Sequence, residues 1–369
     1  VATGDTVYAH HALMVERQAV VRQLSAVHVR DGRIYAVDDH FLYASSDTGR
    51  TFHLLGRLPK VRPTLVGKGK DLVARTRLIR RIRQNPGPGA LVVLRSGTIL
   101  VFYDFLYRSA DGGRTFAPVL SFQDSIPGPL GPNVTVDAED RVYFGEYDTS
   151  PRPRRVRVWR GTDDGRCWNV ALEFPRGAVF HVHGVQYDPY RRGLWILTGD
   201  RDVESAVLFT ADDFRTVDTL GHGSQDWRVV RLIATPDALY WGTDNDRTGA
   251  DIVRWSFATQ RLERVRHIGK VSYFSTRLSD GSLAITTTHE PDSPFTLDKN
   301  PPPTTELWVS RNGEDWHVAW ALPAAVPRGP SRAQLVIPSG DYSMDRLIVS
   351  PRHVREGGHT VQVFRLWGP

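Results

Sequence analysis

Short runs that mix apolar, β-branched and aromatic residues with polar ones recur along this 369-residue chain. FLYAS (41–45), FLYRS (105–109), VRVWR (156–160) and ELWVS (306–310) are each followed by a polar segment and then by a second run, such as FHLL (52–55) or WHVAW (316–320). Apolar runs of this length between turn formers predict strands joined as hairpins. Two stretches break the rhythm. LVARTRLIRRIRQNPGPG (72–89) sets Leu72, Leu78, Ile79 and Ile82 at helix-like spacing between arginines, and reads as a helical turn over one face or an irregular inner strand. THEPDSPFTLDKNPPPTT (288–305) is too polar and proline-rich for a strand and reads as a long loop.

The polar segments between paired runs repeat. SSDTGRTF (45–52), SADGGRTF (109–116), GTDDGRCW (161–168), TADDFRTV (210–217) and SRNGEDW (310–316) share Ser or Thr, then Asp or Asn, then Gly, then an aromatic residue. Asp47, Asp111, Asp163, Asp212 and Asn312 follow one another at intervals of 64, 52, 49 and 100 residues, the last spanning a degenerate copy near RWSFATQRLE (254–263). Such a segment is a turn: Asp hydrogen-bonds backbone two residues on, Gly supplies a positive φ, and the aromatic caps the sheet below.

These segments resemble the Asp-box, or BNR, repeats of sialidase-like β-propellers. The resemblance covers roughly residues 40 to 320; SADGGRTF is a close match, TADDFRTV and SRNGEDW are degenerate. It implies an all-β chain, residues 1–369 forming a single propeller domain of four-stranded antiparallel blades. Seven blades are expected, with six as the second choice. AQLVIP (333–338), DRLIVS (345–350) and TVQVFRLW (360–367) give the last unit three strands, and the N-terminal run TVYAHHALMVERQAVV would add the fourth and close the ring.

Composition narrows the partners. Cys167 is the single cysteine, which excludes an internal disulfide and a multi-cysteine zinc site. The formal charge of +6 suits an anionic partner, although lysine occurs only at Lys60, Lys68, Lys70, Lys270 and Lys299 and arginine carries the rest. No phosphate loop, metalloprotease helix or nucleic-acid signature appears, so nucleic acid is not expected. No apolar run reaches the eighteen or so residues of a membrane helix, and the first residues lack a signal-peptide layout. A soluble monomer is expected, cytoplasmic or exported with its signal removed.

Blade topology sorts the candidate chemistry. The boxes occupy turns between third and fourth strands, which leaves the opposite face to GEYDTSPRPRR (145–155), FHVHG (180–184), TGDRDVES (198–205), GHGSQDWR (221–228), GTDNDRTG (242–249), the loop opened by His289 and Glu290, and SPRHVREGGH (350–359). Side chains two apart on a strand share a face, so His181 and His183 point together. Starting an innermost strand, they should stand at the mouth of the central channel. Gln225, Trp227 and Arg228 are expected to open the next inner strand, and Tyr273 and Arg277 to lie on the one after.

Three chemistries compete for that mouth. Sialidase hydrolysis, which the boxes suggest, would read Arg201, Arg228 and Arg277 as carboxylate clamps and Glu146 with Tyr147 as acid and phenol. The family's early Arg-Ile-Pro motif is missing, the nearest string being VRPT (61–64), which argues against it. Cleavage of another, acidic glycan fits better. Elimination beside a uronate needs a base and a cation near the carboxylate, for which His181, His183, Tyr147, Tyr273 and Arg228 serve. Hydrolysis needs two carboxylates, for which Glu146, Asp200, Asp202, Asp244 and Glu290 are candidates. Binding of an oligo- or polysaccharide without catalysis, with Trp227 stacking, is the alternative. No cofactor is required, but His181 and His183 with Gln225 or His289 could hold a divalent metal ion.

Overall fold

The computed structural model describes residues 13–59, 89–122, 126–150, 152–290, 303–326, 332–342 and 344–368. The helix-like stretch up to residue 88, the string VRPT, the loop from 291 to 302 and the first twelve residues lie outside them. Among the described residues the chain is all-β. Its only helical pieces are the single 3-10 turns Asp202–Glu204 and Gln225–Trp227.

Strands consecutive in sequence pair antiparallel in groups of four. His181–Asp188, Gly193–Gly199, Ala206–Thr210 and Asp218–His222 form one such sheet, and three other four-stranded sheets follow the same order. Burial falls across each group. Gly193–Gly199, a second strand, is buried throughout, whereas the fourth strand Arg261–His267 alternates between exposed and half-buried residues. Strands covered on both faces need continuous apolar runs, and outer strands tolerate charge on one face.

The chain ends interlock with the first strands. Met14–Arg22 lies antiparallel on Thr360–Trp367, and Ser339–Gly340 pairs in parallel with Ser25–Arg30. Thr288 and His289 pair with Gln334 and Ala333, which merges the last two groups into one eight-stranded sheet. One apolar core then runs from Ile34 and Ala36 of the first group through Val363 and Phe364 of the last. His28, buried on the first strand of the first group, ties three groups together. Val93 N–H donates to its Nε2 at 3.3 Å, so its Nδ1 carries the proton and donates to Ser339 Oγ at 2.9 Å.

The repeated segments all lie in turns between third and fourth strands. In the first, Ser45 Oγ donates to Asp47 Oδ1 at 2.7 Å and accepts from Gly49 N–H at 2.9 Å. Thr51 closes the turn with its amide on Asp47 Oδ1 at 2.9 Å and its hydroxyl on Oδ2 at 2.6 Å. The turn around Asp111 repeats the pattern. Gly49 is required twice over: its φ is +81°, and a Cβ there would stand 2.6 Å from Val363 of the last group. In the degenerate copy Phe214 takes the glycine's place at φ 67° and lays its ring 5.9 Å from Tyr143 of the preceding sheet. In the third copy the working carboxylate is Asp164, which reaches back to Ser96, Thr98 and Arg108 of the sheet before it.

Candidate functional site

FHVHG enters its strand through a bulge. Val182 pairs with Thr198 and Gly184 with Leu197, which leaves His183 without a partner across the ladder. Tyr273 occupies the same kind of position, skipped between the pairs Ser272–Thr287 and Phe274–Thr286. An extra residue re-aims a side chain that strict alternation would fix. Asn133 pins the bulge by donating its amide to His183 O at 2.8 Å. Gly199 makes room for the ring: a Cβ there would stand 2.7 Å from His183 Cε1 and 3.1 Å from Arg228 Cγ.

The two imidazoles have fixed tautomers. His181 Nδ1 lies 3.0 Å from Asp148 O, and His183 Nδ1 lies 2.9 Å from Val229 O. A carbonyl only accepts, so each neutral ring carries its proton on Nδ1 and presents a bare Nε2 lone pair. Those Nε2 atoms are 3.0 Å apart, and Asp200 Oδ1 lies 3.3 Å from one and 3.1 Å from the other. Three acceptors therefore face one point. Burial holds the His183 imidazole below its ordinary value and so favours the neutral ring. At 1% and 2% exposure, His181 and His183 are closed to a bulky substrate, whereas the Asp200 side chain is 34% exposed.

Positive and phenolic groups surround this triangle. Arg228, at 12% exposure, reaches Asp200 at 3.2 Å, Asp244 at 3.1 Å and Asp246 at 2.8 Å. Burial holds the Asp244 carboxyl well above the usual range, with Arg228 opposing in part. Tyr147 lays its ring 4.1 Å from that of His181, and burial, with the charges of Asp200 and Asp244, pushes its phenol up to about 12. Tyr273 donates its hydroxyl to Glu290, which also pairs with Arg332 at 3.0 Å. Gln225 donates to Asp200 O at 3.1 Å and to Asp202 Oδ1 at 2.7 Å, and its own oxygen accepts from Arg228.

Several expected members stand elsewhere. Glu146 turns into its sheet, where Trp159 Nε1 at 3.0 Å, the Arg157 amide at 3.1 Å and Arg154 at 3.4 Å hold it, because the residue beside Tyr147 on an extended chain must face the other way. Trp227 packs its ring 5.8 Å from Trp241 and 5.7 Å from Trp255 as part of an apolar core. It lies with Gln225 in a 3-10 turn, and the inner strand begins only at Ile233. Arg201 is 65% exposed and pairs with Glu204. Arg277 ends its strand on the side of the repeated turns, donating to Tyr190 at 2.9 Å. Among the described residues the His, Cys, Asp and Glu side chains close enough to share one ion are His181, His183 and Asp200; His289 is buried at the end of its own strand opposite Ala333, and Gln225 turns its side-chain oxygen to Arg228.

Sequence reasoning left out Asp246, Asn133 and Arg332. Asp246 was within reach, since it lies in the acidic segment GTDNDRTG on the same face. Arg332 carries no local signal, because it meets Glu290 only through the pairing of distant strands.

No family model and no curated protein sequence matches the chain. Solved structures do. An oligogalacturonate lyase in complex with manganese aligns over 97% of this chain and 91% of its own, with TM-score 0.57 and 10% identity. A GH74 enzyme of Niastella koreensis aligns over 91% of this chain with TM-score 0.53 and 13% identity, and the match spans 52% of that enzyme, about half its length. A chain of the mitotic checkpoint complex aligns over 100% of this chain and 98% of its own, with TM-score 0.53 and 10% identity. Likeness at these identities is likeness of fold, and the lyase and the GH74 enzyme are β-propeller enzymes.

Proposed function

We propose that this chain is a single propeller domain, seven blades closed by its terminal strands, that cleaves an acidic glycan by elimination beside a uronate at the His181–His183–Asp200 end. The observation that carries the reading is the convergence of two Nε2 lone pairs and one carboxylate oxygen on a single point. Acceptors so placed repel one another unless a cation sits among them. Donor atoms spaced roughly 3 Å apart suit one divalent ion with ligands at about 2.0–2.2 Å, and two imidazoles with a carboxylate are a donor set for such ions. His181, His183 and Asp200 would hold it. Bound there, the ion would supply positive charge to the substrate carboxylate and so acidify the adjacent C–H.

The chain's own groups divide the remaining work. The imidazoles, buried to 1% and 2% exposure, are out of reach of a sugar C–H and act through what they hold. Arg228 steadies Asp200 and adds positive charge beside the carboxylate. Tyr273, hydrogen-bonded to Glu290, and Tyr147 are the groups placed to exchange protons with the sugar.

Hydrolysis is the second reading. Asp200 and Asp244, bridged by Arg228, stand in different surroundings: the Asp244 carboxyl is buried and held well above the usual range, whereas the Asp200 side chain is 34% exposed, a difference of the kind that separates an acid from a base in one pocket. Incubation with acidic and neutral polysaccharides separates the readings. Elimination gives unsaturated uronates with new reducing ends, and hydrolysis gives reducing ends alone. Retardation of the glycan without either product would leave a binding module and overturn both.

A further inference from the structure

The face opposite the histidines carries a basic cavity that the proposed chemistry does not use. The first two strands of the first group turn through Asp31 and Gly32, at φ 48° and 72°, a two-residue hairpin that only such residues adopt easily. This turn, the neighbouring turn with Leu94, Arg95 and Gly97, and Ser46 of the first repeated segment border an open hollow of about 310 Å³, at the small end of ligand pockets. Among the described residues Arg30, Arg33 and Arg95 line it, with Asp31 as the only lining carboxylate.

The three guanidiniums are not equivalent. Arg30 is committed to Val93 O at 3.1 Å, to Asp31 at 3.3 Å and, more loosely, to Asp140 at 3.8 Å. Arg95 hands a side-chain N–H to Ala138 O. Arg33 lies 5.4 Å from the ring centre of buried Tyr35 and hydrogen-bonds that tyrosine's side chain, while its buried Nε has no hydrogen-bond partner among the described residues. A planar fork held on an aromatic ring matches an oxyanion with two oxygens.

We propose that this cavity is a second binding site, taking one acidic sugar with its carboxylate on Arg33. The oxyanion chemistry follows from the pocket alone; the choice of a sugar as carrier rests on the glycan reading above. The test is calorimetric titration of the full chain with glucuronate, inorganic phosphate and glucose, in wild type, His183→Ala, Arg33→Gln and Arg33→Lys. Saturable glucuronate binding that survives His183→Ala, weakens at least tenfold in Arg33→Gln and is absent for glucose supports the site. Arg33→Lys, which keeps the charge but loses the fork, should bind in between, and it carries the test if Arg33→Gln melts early. Phosphate binding as tight as glucuronate overturns the sugar, and no Arg33-dependent binding overturns the site. Glycan cleavage needs His183 and not Arg33, so the two proposals fail separately.

Discussion

The Nε2 atoms of His181 and His183 lie 3.0 Å apart while each ring spends its Nδ1 proton on a backbone carbonyl. Neither ring can then donate to the other or to Asp200. The arrangement predicts one divalent ion per chain, measured by titrating manganese or zinc into chelator-treated protein. His181→Ala, His183→Ala and Asp200→Asn should each weaken binding by at least about tenfold. Wild-type stoichiometry in all three variants would place the ion elsewhere.

Gly199 should behave as a site residue although it has no side chain. Alanine there brings a methyl group to 2.7 Å from His183 Cε1, so the ring must shift and strain its Nδ1 bond to Val229 O, the backbone of His183 being held by Asn133. Gly199→Ala should lose ion binding and glycan cleavage together while melting within a few degrees of wild type. Normal ion affinity in a folded Gly199→Ala protein would show that the close approach is relieved without cost to the triangle.

Tyr273→Phe removes the hydroxyl shared with Glu290 and leaves the ring. If that phenol exchanges a proton with the sugar, kcat should fall by about 10²-fold or more, with KM changed little. A raised KM with unchanged kcat would make Tyr273 a binding residue.

His28 makes an acid-sensitive joint. Burial, with the charges of Arg30 and Arg231, lowers its imidazole from 6.5 to about 3, and protonating Nε2 would break the bond from Val93. The unfolded chain binds this proton first, so stability is complete above pH 6.5 and declines as pH falls toward 3. The decline is bounded at about 5 kcal/mol by the size of the shift. Denaturant titrations between those limits should show a shallower slope in His28→Gln than in wild type. Equal slopes would remove His28 as the cause.

The strand groups were legible because their signals are local: turn residues at fixed offsets and apolar runs between them. The turn geometry around Asp47 and Asp111 follows from eight residues of sequence. The site was legible only in part. Alternation correctly set His181 and His183 together, but a bulge, which no local residue announces, aims His183 and Tyr273. Asp200 reads from the sequence as a hydrolytic carboxylate rather than a partner of the histidines, because its distance from them depends on the register of two strands. Glu146 and Trp227 were drawn to the site by chemistry and claimed by the interior, where Trp159 and Trp241 hold them.

The most direct measurement follows ultraviolet absorbance of unsaturated uronate during incubation with a uronic-acid polysaccharide. Four samples are compared: wild type loaded with divalent ion, the same protein after chelation, chelated protein with the ion restored, and loaded His183→Ala. The account predicts a steady rise in the first and third, and at least a hundredfold slower rise in the second and fourth. Cleavage that proceeds unchanged after chelation and in His183→Ala, or that yields reducing ends with no absorbance, would contradict it.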